Sequence, residues 1–121
     1  MSLSDERHRA HLSPVVGQVL LRCAESCERA LTDYATQVGM TSGDELFREL
    51  LLAIATVRTA VDLLDEADSR RELAFRLTAE ACSAAAVRCR QGGFDESLLR
   101  CAVACDRAAD EAELVLTSLA H

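Results

Sequence analysis

The sequence predicts an all-α fold, an antiparallel up-down-up-down four-helix bundle. Three observations predict it. Ala, Leu, Glu and Arg, all good helix formers, dominate a 121-residue chain with one Pro and only 3% aromatic residues. Apolar residues recur at alternating steps of three and four, and no segment alternates with the period of a strand. Three short breaks, Gly39 to Gly43, Asp65 to Ser69 and Gln91 to Asp95, leave four segments of helical length. Connections that short make successive helices antiparallel neighbours.

Each segment carries its own boundary signals. Helix 1 is expected to start at Ser13 as N-cap with Pro14 at the first helical position, and to run to about Val38. Gly39 then supplies a left-handed cap. Residues 1–12 are read as a tail or short extra helical turn, and residues 13–121 as the bundle. Helix 2 opens with the capping box Ser42-Gly43-Asp44-Glu45 and ends near Glu66. Helix 3 opens with a second box, Ser69-Arg70-Arg71-Glu72, and stops before Gly92-Gly93. Helix 4 begins near Asp95 and reaches about Leu119.

The inward seams follow from the spacing. They are Val16, Leu20, Cys23, Cys27, Ala30 and Tyr34 in helix 1, and Leu50, Ile54, Val57, Val61 and Leu64 in helix 2. Helix 3 offers Phe75, Thr78, Cys82, Ala85 and Cys89. Helix 4 offers Leu98, Cys101, Cys105, Ala108, Ala112, Val115 and Leu119. Helix 2 is apolar beyond its seam, from Leu50 to Ala55, which points to a homo-oligomer.

Charge narrows the function. A net charge of −7 argues against a nucleic-acid partner, because phosphate binding needs Lys and Arg. All thirteen basic residues are Arg, and along the sequence they look scattered. Met1 to Leu12 lacks the apolar core of a signal peptide, and the run Leu50 to Ala55 is too short to span a membrane. The expected compartment is the cytoplasm, where thiols stay reduced and no native disulfide is expected.

Six cysteines, all on the seams, are the chemical signal. Cys23 and Cys27 are four apart, as are Cys101 and Cys105, and Cys82 and Cys89 are seven apart, so each pair shares a helix face. One reading is a plain core, since free Cys packs as a small hydrophobe. The other is a thiolate metal site, with soft Cu(I) first and Zn(II) second. Zinc usually takes C-x2-C knuckles on loops, which this chain lacks. Counting residues back from the turns places Cys27, Cys82, Cys101 and Cys105 within roughly 8 Å along the axis. The same count puts Cys89 nearer the turns and Cys23 nearer the opposite end.

The stretches Arg22-Cys23-Ala24-Glu25-Ser26-Cys27-Glu28 and Arg100-Cys101-Ala102-Val103-Ala104-Cys105-Asp106 resemble the repeated C-A-x-x-C units of the copper storage proteins, cysteine-rich four-helix bundles. The resemblance runs from about Val16 to Ala112. It implies cysteines lining the bundle interior, Cu(I) held as thiolates, and assembly into oligomers. In that family Leu50, Val57 and Val61 would often be cysteine. With sulfur at six positions, this chain resembles a cysteine-depleted member with a small site, or one returned to an ordinary core.

Other constellations are weak. His8 and His11 are three apart in the polar N-terminal segment, and His121 ends the chain. A di-iron bundle needs Glu-x-x-His on inward faces, and helices 1 to 4 hold no His. Asp106, Asp110, Glu111 and Glu113 read as a solvated face. There is neither a Gly-rich phosphate loop nor a Cys–His nucleophile pair, so an enzyme is not expected.

Overall fold

The computed structural model describes residues 3–38, 44–66, 69–91 and 95–119. They form α1 (Leu3–Val38), α2 (Glu45–Asp62), α3 (Ser69–Gln91) and α4 (Glu96–Leu119), with no strand among the described residues. Helices α1 and α3 each pack against both α2 and α4, closing a ring. The chain is therefore the four-helix bundle its periodicity predicts. Gly39, Ser42, Gly43, Gly92, Gly93, His121 and the side chains of His8 and His11 lie outside the described residues.

The seams of α1, α3 and α4 fill the core as read from the spacing. Val16, Leu20, Cys23, Cys27 and Ala30 are buried on α1, and Phe75, Thr78, Cys82, Ala85 and Cys89 on α3. On α4, Leu98, Cys101, Cys105, Ala108 and Ala112 are buried, with Val115 part-buried at the end. The α2 seam differs. Its buried residues are Leu50, Ala53, Val57 and Ala60, while Ile54 and Val61 are only partly covered. Two alanines, Ala53 and Ala60, face inward there, and the bulkier Ile54 and Val61 pack against the core from the flanks.

Helix starts differ from expectation where a local signal competes with propagation. Helix α1 begins at Leu3 and carries Pro14 inside it. Pro14 has no N–H to give to the preceding turn, yet the helix-forming residues ahead of it continue the helix. Ser69 is the first residue of α3 rather than a cap ahead of it. Helix α2 is entered through Asp44, in extended backbone with φ −70° and ψ 141°. At α4, Asp95 is a true N-cap: the Leu98 backbone N–H donates to its Oδ1 at 3.0 Å. Asp95→Ala should cost about 1 kcal/mol of stability, read as a lower urea midpoint at unchanged m-value.

One buried hydroxyl stitches the core. The Thr78 Oγ1 donates to the Ala74 carbonyl at 2.8 Å and reaches the Thr56 carbonyl of α2 at 3.0 Å, so it is satisfied without water. Surface ion pairs join each adjacent pair of helices but one: Arg58 to Glu28 (α2 to α1), Arg88 to Glu45 at 2.8 Å (α3 to α2), and Arg90 to Asp106 (α3 to α4). All are exposed and contribute little to stability. Across the remaining seam, between α1 and α4, no ion pair is found among the described residues.

Candidate metal centre

Seam positions four and seven apart put two sulfurs from each of α1, α3 and α4 into the core, and none from α2. All six thiols are free and fully buried. Five of their Sγ atoms form a connected column. Cys23 lies 3.8 Å from Cys82 and 3.7 Å from Cys105. Cys27 lies 3.6 Å from Cys105 and 3.5 Å from Cys101, and Cys101 lies 3.9 Å from Cys105. Cys89 is buried on α3 seven residues beyond Cys82, outside these contacts.

Two triangles emerge from these distances. Cys23, Cys27 and Cys105 lie within 4.8 Å of one another. Cys27, Cys101 and Cys105 are mutually 3.5, 3.6 and 3.9 Å apart. The triangles share the edge Cys27–Cys105. With a metal–sulfur bond of about 2.3 Å, a three-coordinate ion sets its sulfurs about 4 Å apart, so both triangles are close to the size of a trigonal thiolate site. A shared edge suits bridging thiolates and more than one ion.

The structure brings Cys27, Cys101 and Cys105 together, joins Cys82 to them through Cys23, and so places Cys23, which the residue count set apart, in the middle of the cluster. Counting back from turns assumes that both turns end at the same height. The heights are set instead by α1 lying directly on α4, which lines Cys23 and Cys27 up with Cys105 and Cys101. Cys82 joins at the Cys23 level and Cys89 at the Cys101 level.

Five of the thiols are shifted from the ordinary range by one another and by burial. Hydrogen bonds with Cys105, Cys27 and Cys82 hold Cys23 well below the usual thiol range, against burial, which pushes it up. The remaining shifts run upward. Cys27 is raised by Cys101, Cys105 and Cys23, and then by burial. Cys89 is raised by Cys101 and by burial. Cys82 is drawn down by Cys105, but Cys23 and burial carry it up overall. Cys105 is drawn down by Cys101 and carried up by Cys23. Contacts among these closely packed buried thiols thus pull Cys23 down and push Cys27, Cys82, Cys89 and Cys105 up. A bound cation reverses the upward shifts, because a metal deprotonates the thiols that ligate it.

A family model, Copper storage protein, matches residues 9–117. The chain belongs to the copper storage protein family. Neither the curated proteins nor the solved structures contain a match. Within this family assignment the buried cysteine column is the feature that bears on copper, and its donor set is all sulfur, the choice of a soft ion. No helix among the described residues is long and apolar enough to cross a membrane.

Proposed function

We propose that this copper storage family protein sequesters a few Cu(I) ions as thiolates of Cys23, Cys27, Cys82, Cys89, Cys101 and Cys105. The observation that carries the reading is the pair of edge-sharing sulfur triangles in a dry core. Six sulfurs hold a few ions, not a filled tube. The copper is cargo, and the protein is a binder rather than a catalyst. Zn(II) is the second candidate ion, and a metal-free scaffold with cysteine as core filler is the competing reading.

Titrating reduced protein with Cu(I) against a colorimetric chelator tests it. Wild-type protein should withdraw several equivalents of Cu(I) from the chelator. A protein that yields all its copper to a weak chelator would leave only the scaffold. Colocalisation in the cytoplasm belongs to the same reading, since reducing conditions keep the thiols free.

Self-association is part of the proposal. Leu51 and Leu52 are 45% and 53% exposed on α2, and Leu73 and Leu77 of α3 are also exposed. Sedimentation at micromolar concentration should give a species larger than the monomer, and Leu51→Glu with Leu52→Glu should return it to monomer.

A further inference from the structure

The arginines that look scattered in the sequence converge in the structure. The two cysteine segments extend to matching eight-residue units, Arg22-Cys23-Ala24-Glu25-Ser26-Cys27-Glu28-Arg29 and Arg100-Cys101-Ala102-Val103-Ala104-Cys105-Asp106-Arg107. Each unit is Arg-Cys-Ala, two residues, Cys, an acid, Arg. Both acids turn outward to the flanking helices, Glu28 to Arg58 of α2 and Asp106 to Arg90 of α3. The four arginines instead line a groove of about 250 Å³ between α1 and α4.

Their arrangement is paired. Arg22 and Arg107 line one end of the groove together, and Arg29 and Arg100 the other. Seven residues separate the arginines on each helix, about 10 Å at the α-helical rise. Arg100 is paired with Glu96 at 2.7 Å, while Arg22, Arg29 and Arg107 make no ion pair among the described residues. Like charges facing each other across a helix seam repel, and this is the one seam without an interhelical ion pair. In a chain of net charge −7, a groove whose own lining sets four arginines against one carboxylate suits an anion. Glu25 contributes one carboxylate to the groove, and acids fringe both ends, with Asp33, Asp95 and Glu96 at one and Asp110 and Glu111 at the other. Half-buried Ser26 and Ala104 line it midway, each beside a column cysteine in sequence.

We propose that this groove docks a short peptide thiol with a carboxylate at each end, which carries Cu(I) to the sulfur column beneath. The inference rests on the thiolate reading of the column. One carboxylate meets Arg22 and Arg107, the other Arg29 and Arg100, and Glu25 faces the carrier's ammonium group. The carrier's thiol then sits between the arginine pairs against Ser26 and Ala104, and exchange requires the α1–α4 seam to part, because the neighbouring Cys27 and Cys105 are fully buried. Transfer is ligand exchange. A protein Cys sulfur forms a bond to copper, a copper–sulfur bond to the carrier breaks, and the Cys proton passes to the released carrier thiolate. Copper stays Cu(I), and no electron changes hands.

Reduced glutathione and its S-methyl derivative are suitable probes. The S-methylated peptide should bind apo protein, seen as amide shifts along α1 and α4, and a simple dicarboxylate of similar length should bind at least tenfold more weakly. Arg22→Gln with Arg107→Gln, and separately Arg29→Gln with Arg100→Gln, should each weaken binding at least tenfold with unchanged helicity. Copper should move faster from its glutathione complex than from its complex with neutral 2-mercaptoethanol, and both double variants should erase that preference while keeping the final copper capacity. No binding, equal binding in the variants, or equally tight binding of the dicarboxylate overturns the docking site, whatever copper does. Copper refused from both donors, with arginine-dependent peptide binding intact, overturns the thiolate reading and the delivery step together, and leaves an anion site alone.

Discussion

Cys105→Ala should lower Cu(I) affinity by at least about a hundredfold, a loss exceeding the ten- to hundredfold usual for groups that only support a ligand. Cys105 belongs to both sulfur triangles and also contacts Cys23 from the second direction. Removing it leaves neither triangle intact. Cys27→Ala should follow closely, because it is the other end of the shared edge. Cys89→Ala should cost far less, since Cys89 lies outside both triangles. The apo protein should lose only about 1 kcal/mol in each case, because a seam rich in Ala accepts another small side chain. Chelator competition and urea unfolding of the same variants separate the two quantities. Equal copper losses for Cys89→Ala and Cys105→Ala would show that the triangles do not define the site.

Alkali should unfold the metal-free protein steeply. Cys27, Cys82, Cys89 and Cys105 all have thiol pKa values raised in the fold above the ordinary 9.0. A raised acid stays protonated in the native state while the same thiol ionises in the unfolded chain. The stability tied to these four thiols is thus fully present below about pH 8.5 and falls as pH rises past it. Each retained proton is worth about 1.4 kcal/mol per pH unit, so four give a slope of up to about 5 kcal/mol per unit, enough to exhaust a typical domain's stability within a few units. Cys23, already low in the fold, adds nothing to this slope. Urea unfolding under reductant between pH 8 and 10.5 measures it, and Cys82→Ala with Cys89→Ala should roughly halve it. A flat profile would mean that water reaches the column.

The helical seams were readable because a bundle buries one stripe per helix and the steps of three and four mark that stripe. Cys23, Cys27, Cys82, Cys89, Cys101 and Cys105 all follow from it. The misplacement of Ile54 and Val61 has a physical origin. Hydrophobicity ranks Ile and Val above Ala, but the turn of α2 about its own axis decides which stripe faces inward, and it sets Ala53 and Ala60 in the interior. Pro14 misled for a different reason. It is a strong local start signal, and a local signal carries no information about whether the residues before it also prefer the helix. The central place of Cys23 could not be read at all, because spacing within a helix says nothing of the height at which α1 meets α4. The arginine groove was hidden likewise: residues 22, 29, 100 and 107 are neighbours only after that pairing is made.

Helix α2 brings no sulfur to the column, yet the column governs it through the connectivity of the chain. Residues 23 and 82 are 59 positions apart, and α2 lies wholly between them. An ion that ties Cys23 to Cys82 makes that stretch a closed ring, with α2 as its far arc. Wherever the tie survives unfolding, ring closure removes disorder from the unfolded chain worth about 4 kcal/mol for a ring of this size. The helix without a ligand would then share in the stability that a bound ion brings to the helices that grip it.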